Sequence, residues 1–289
     1  MQSVDQLKNI IEKELKEWLE KPGRKEEEYE KNIKEINDYL NEEMVRKSIL
    51  NRFEYLDNWY SNNFIFELLT KKDTNVKLEA CSNEFLLLLV ANKLTDTYPK
   101  NPPSLLFDKV AYWLANCVSQ KWYNEGMILI DIVNKGLNSK LLNGGLSFKP
   151  TSWFIITIVN NVLGDKTIDY SSYNYSKEMG VYQEALDNWN TEDMELLDIL
   201  ISKMCEFHLE NAIYGKEEDT ANIQFGKDIW FVYAFEILTW LSIREKAGFR
   251  NPEKYTHPLM NLEINKPSKT VHPMPQSDLY KKVSSKLSL

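Results

Sequence analysis

The chain has 289 residues, 43 % hydrophobic and 27 % charged, which is enough apolar material for a packed core and excludes bulk disorder. Ten glycines and ten prolines are too few for the turns of an all-β protein of this length, so long helices with few connections are expected. The net charge of −8 is uneven: residues 265–289 hold five lysines against Asp278, which leaves −12 on the rest, and an acidic body repels phosphate and disfavours nucleic acid as a partner.

Val4, Leu7, Ile11, Leu15, Trp18 and Leu19 share one helical face, with Ser3 as N-cap and Lys21-Pro22-Gly23 as the stop. A second helix is predicted over 25–48 on the stripe Tyr29, Ile33, Ile36, Leu40 and Met44. Its acidic start, Glu26-Glu27-Glu28, complements the helix dipole. Residues 49–70 continue as an aromatic-rich helix, and the polar run 71–75 reads as a loop. The helix expected over 77–93 contains Phe85-Leu86-Leu87-Leu88-Leu89-Val90, so it is buried nearly all round.

Tyr98-Pro99-Lys100-Asn101-Pro102-Pro103 breaks the pattern. That break divides the chain into an N-terminal helical region, 1–98, and a C-terminal helical domain, 104–262. Ser104 is the expected cap of a helix bearing Phe107, Val110, Trp113, Leu114, Cys117 and Val118. A short turn leads to a second helix with Met127, Ile130, Val133 and Leu137, which makes an antiparallel hairpin. Further helices are predicted over 152–162, 177–189, 192–214 and 228–247, with Gly248 just past the last. Residues 263–289 read as an extended or disordered basic tail, and no strand pair is predicted. The fold class is therefore all-α: antiparallel helical hairpins packed as a bundle or a short irregular solenoid, without a fixed repeat.

Three widely spaced cysteines, Cys81, Cys117 and Cys205, give no disulfide framework and suit a reducing compartment. No signal peptide is visible at the N-terminus. The most apolar stretch, 229–243, is too short to span a bilayer, so a cytoplasmic protein without membrane contact is expected.

Chemistry-bearing patterns are sparse. Cys205 and His208 have a spacing that can share a metal, but zinc needs three or four ligands and no second Cys or His pair accompanies them. His208 and Glu210 match one half of a nucleobase-deaminase signature whose Pro-Cys-x-x-Cys half is missing. His257 and His272 each precede a proline, which places them in extended segments or turns. Glycine-rich dinucleotide motifs, phosphate loops and serine elbows are absent. Glu236 stands out, because it interrupts an otherwise apolar helix; it is expected to clasp a neighbouring helix or loop. No catalytic, cofactor-binding or metal residue is assigned.

Five segments occur in order in the C-terminal half: 182–189 (YQEALDNW), 205–209 (CEFHL), 235–238 (FEIL), 244–252 (REKAGFRNP) and 257–260 (HPLM). Together they resemble the helical immunity proteins of bacterial polymorphic and type VI secretion toxins, over about residues 180–261. The resemblance implies a cytoplasmic inhibitor that binds a cognate toxin domain stoichiometrically and has no enzymatic turnover. An acidic body then implies a basic toxin domain, met through exposed acids; Glu217, Glu218 and Asp219 are the candidate contact residues. Two other readings compete with it. One is a helical scaffold that binds peptide segments, suggested by the hairpin at 104–137. The other is a metal-dependent hydrolase centred on Cys205, His208 and Glu236.

Overall fold

A computed structural model describes residues 3–21, 26–70, 75–137, 139–143, 149–173, 179–212, 225 and 228–289. The protein is all-α, with eleven α-helices among the described residues: α1 Val4–Glu20, α2 Glu26–Leu40, α3 Ile49–Thr70, α4 Asn75–Thr97, α5 Phe107–Ser119, α6 Tyr123–Leu137, α7 Pro150–Leu163, α8 Val181–Asp187, α9 Met194–Asn211, α10 Phe235–Lys246 and α11 Asp278–Leu287. Short 3-10 turns lie at Asp228–Val232, Pro258–Asn261 and Glu263–Asn265. None of the described helices is long and apolar enough to cross a membrane.

α1 follows its sequence pattern. Ser3 accepts from the Gln6 amide while Gln6 caps the Ser3 amide, and Val4, Leu7, Ile11, Leu15 and Leu19 are buried. α2 stops at Leu40, eight residues before the predicted end. The Asn41 amide is shared between the Asn37 and Asp38 carbonyls, the chain turns, and Val45 rather than Met44 enters the core. Met44 is left exposed because the bend ends the stripe it belonged to.

α3 packs against α1, α2 and α4, and α4 in turn packs on α5 and α6. One cluster of buried apolar side chains runs from Val4 to Leu287, so the regions before and after the Tyr98–Pro103 break share a core. α5 is central: α4, α6, α7 and α10 all lie against it. Its N-cap is Leu106, not Ser104, because Leu105–Leu106 pair in parallel with Leu142–Asn143 before the helix begins. That two-residue bridge joins the two ends of the α5–α6 hairpin.

The helix predicted over 228–247 is broken at Tyr233–Ala234. Asn265, fully buried, accepts from the Ala234 amide (2.8 Å) and donates to the Val232 and Leu259 carbonyls (2.9 and 2.8 Å). These bonds satisfy the backbone groups that the break releases. At its far end α10 closes on Gly248 (φ +90°), with Phe249 N–H bonded back to the Arg244 carbonyl.

The C-terminal segment differs from its expectation. Ser277 caps α11, and Val283 and Leu287 bury its inner face against α2 and α4. The extended stretch before it is strapped down by Trp122 Nε1, which donates to the His272 carbonyl (2.7 Å), and by Ser82 Oγ, which donates to the Pro275 carbonyl (2.5 Å). Lys282 and Lys286 reach Asn37 Oδ1 and the Glu42 carbonyl.

Candidate functional site

Cys205 and His208 lie on the buried face of α9, and Glu236 lies in the first turn of α10. His208 Nδ1 is 2.8 Å from Glu236 Oε1, and Nε2 faces the Trp230 and Phe231 carbonyls at 3.1 and 3.2 Å. Carbonyls only accept, so Nε2 carries a proton and donates it. A second proton must lie between Nδ1 and Oε1, because a bare imidazole lone pair facing a carboxylate at that distance is repulsive. The pair is therefore neutral overall, and it clasps α9 to the turn before α10. Neither side chain is exposed, and the Phe225 ring covers the imidazole at 4.1 Å. Burial pushes the Cys205 thiol up, with Glu236 adding to the shift, so it stays protonated at neutral pH. Among the described residues no group of three or more His, Cys, Asp or Glu side chains is placed to hold a metal ion.

The other two histidines make local or surface hydrogen bonds. His257 accepts from the Leu259 amide through Nδ1 (3.1 Å) and donates through Nε2 to Glu206 (3.2 Å). His272 meets Thr270 Oγ1 at 2.7 Å, exposed.

The five segments noted in the C-terminal half form one framework. Buried Arg244 spreads its guanidinium over the carbonyls of Trp189 (2.6 Å), Thr191 (2.7 Å) and Arg250 (2.8 Å) and over Asn251 Oδ1 (3.1 Å). Trp240 Nε1 donates to the same Trp189 carbonyl, and Asn251 returns a bond to the Leu241 carbonyl. Tyr182 stacks on Phe154 and meets Phe207 edge-on. These contacts tie α8, α9 and α10 together through the buried residues of the segments, while Gln183, Glu184, Glu206, Glu245, Lys246 and Arg250 stay exposed.

Glu217, Glu218 and Asp219 lie outside the described residues. Among the described residues, an aromatic-lined concavity lies elsewhere, where α1, α2 and α3 meet. It is a groove of about 320 Å³. Trp18, Tyr29, Tyr55 and Trp59 supply its rings, and Glu28, Asn32, Asn58 and Asn62 its polar groups. Tyr29 lies 4.5 Å from Trp59 at 37°, and Trp59 meets Tyr60 edge-on at 5.0 Å. Beside the groove Arg52 pairs with Glu35 at 2.6 Å, and its guanidinium sits 5.6 Å from the Tyr55 ring. The sequence periodicity predicts Trp18 and Tyr29 in core stripes, but both are only half-buried. The one signal for the groove is Tyr55, Asn58, Trp59 and Asn62, which recur at helical spacing on α3.

The three helices around the groove hold fourteen acidic and six basic residues, a surplus as large as that of the whole chain. No protein-family model, curated protein or solved structure matches the chain.

Proposed function

We propose that this chain is an immunity protein: it binds a cognate, basic toxin domain in the cytoplasm and neutralises it stoichiometrically, without turnover. The observation that carries this reading is a half-exposed aromatic groove, lined by Glu28, between three helices that carry an acidic surplus. Opposite charge speeds encounter, and Trp and Tyr side chains seated in a concavity are what anchor protein interfaces. The C-terminal resemblance supports the same class, and there the motif residues serve as framework.

The test is a toxicity rescue. The product of the adjacent upstream gene is expressed in bacteria with and without this protein. Rescue together with a stable one-to-one complex supports the reading. Toxicity without rescue, or the absence of any complex, refutes it. Capture of short segments from several unrelated proteins would make the chain a helical adaptor instead.

A further inference from the structure

The α1–α3 groove is too small for a helix or strand, and its lining is mixed. Its volume is at the low end for small-ligand pockets. One long side chain fits it. Leu56 is the one aliphatic group in the lining, so an apolar side chain would leave the amides and the carboxylate unpaired. An anion would face Glu28 and the acidic surplus of the surrounding helices.

The polar groups favour a cationic donor. Asn32 is nine-tenths buried. Its Nδ2 donates to the Glu28 carbonyl at 2.7 Å, which fixes the amide orientation. Its Oδ1 is then an acceptor with no hydrogen-bond partner. An unpaired buried acceptor, a carboxylate and several aromatic faces together suit a planar guanidinium. Such a group stacks on rings and donates in its own plane, whereas an ammonium does only part of this. Arg52, poised over Tyr55, already shows the same pairing within the chain.

We propose that this groove is the docking site for one arginine side chain of the basic partner. This deepens the proposed function and rests on it for the partner's identity, but not for the chemistry of the groove. The guanidinium lies among Trp18, Tyr29 and Trp59, and Glu28 supplies the counter-charge.

The test uses the full chain and Nα-acetyl-L-argininamide, with the neutral isostere Nα-acetyl-L-citrullinamide as control. Binding is followed through the indole N–H resonances of Trp18 and Trp59. Saturable shifts with argininamide, at least about fivefold weaker with citrullinamide and in Glu28→Gln, are expected. Glu28 is exposed, so that variant folds as the parent does. Equal binding of both probes, or no shift with argininamide, overturns the proposal. In the complex with the toxin, Trp18→Ala with Glu28→Gln is expected to lower affinity at least tenfold. Unchanged toxin affinity overturns the groove and leaves the immunity reading intact. Probe binding without toxin rescue does the reverse.

Discussion

Lys77 is a buried ammonium, and its removal is predicted to stabilise the protein. It sits in the first turn of α4, 8 % exposed, with Nζ 4.8 Å from the centre of the Tyr233 ring. Burial pushes it from 10.5 down to about 8, against the opposing pull of Cys81 and Glu84. Below pH 8 the folded and unfolded chains both carry the proton, so folding bears the full cost of the buried charge. At ~1.4 kcal/mol per pH unit, that cost is about 3 kcal/mol. Between pH 8 and 10.5 the unfolded chain still holds a proton that the folded chain has released. Stability therefore rises with pH through this window.

Buried tyrosines oppose the rise at its upper end. Burial pushes Tyr112, Tyr182 and Tyr233 well up, so near pH 10 the unfolded chain ionises first and stability falls again. The predicted optimum lies between about pH 8 and 10. Lys77→Met keeps the length of the side chain and its contact with Tyr233. It should raise the melting temperature at pH 7 by about 6 °C, taking ~2 °C per kcal/mol for a chain this size. It should also abolish the increase between pH 7 and 9. Glu84 retains the two bonds from Asn116 Nδ2 (3.1 and 2.8 Å), so the variant does not leave it bare. Denaturant melts at pH 7, 8 and 9 decide the matter. A variant no more stable than the parent at pH 7, with the same pH slope, refutes the reasoning.

The C-terminal framework gives two further expectations. Arg244→Ala removes four hydrogen bonds to a charged donor and leaves the Thr191 and Arg250 carbonyls to find water, while Trp240 Nε1 still bonds the Trp189 carbonyl; this should cost on the order of 4 kcal/mol. Arg244→Lys should recover less than half of this, because a point donor cannot span Trp189, Thr191 and Arg250; thermal melts of both variants measure it. His208→Leu should cost about 3–5 kcal/mol by leaving Glu236 buried and unpaired, and adding Glu236→Leu should return part of that loss. Strictly additive losses in the double-mutant cycle would show that the two side chains do not act as a pair.

How far these features are legible in the sequence depends on how local their causes are. The inner face of α1 is set by residues three and four apart, and Ser3 and Gln6 cap it within one turn, so it can be read directly. Glu236 is legible because it interrupts an apolar run, though its partner, His208, lies 28 residues away. The break before α10 is not legible, because Asn265, 31 residues later, holds the freed amide of Ala234. α11 carried its own signal in Ser277, Val283 and Leu287, but the prolines and lysines around it point to an open tail. Lys77 and Glu84 disappear within a helix whose apolar run dominates its pattern, so their burial shows only once α5 and Tyr233 are in place.

The groove was out of reach for a different reason. Three helices each contribute to it, and no single amphipathic pattern reports a concavity between them. This separation also bears on specificity. Arg244, Trp240 and Asn251 bond to backbone carbonyls, a geometry that any neighbouring sequence offers, so the framework constrains shape and says little about the partner. The groove is defined by the residues that α1, α2 and α3 present to it. Exchanging Trp18, Glu28 or Trp59 changes what fits there without touching α8, α9 or α10. Partner choice can thus vary on α1–α3 while the C-terminal half keeps its fold. The segments that carry the resemblance, and those proposed to carry recognition, therefore lie in opposite halves of the chain.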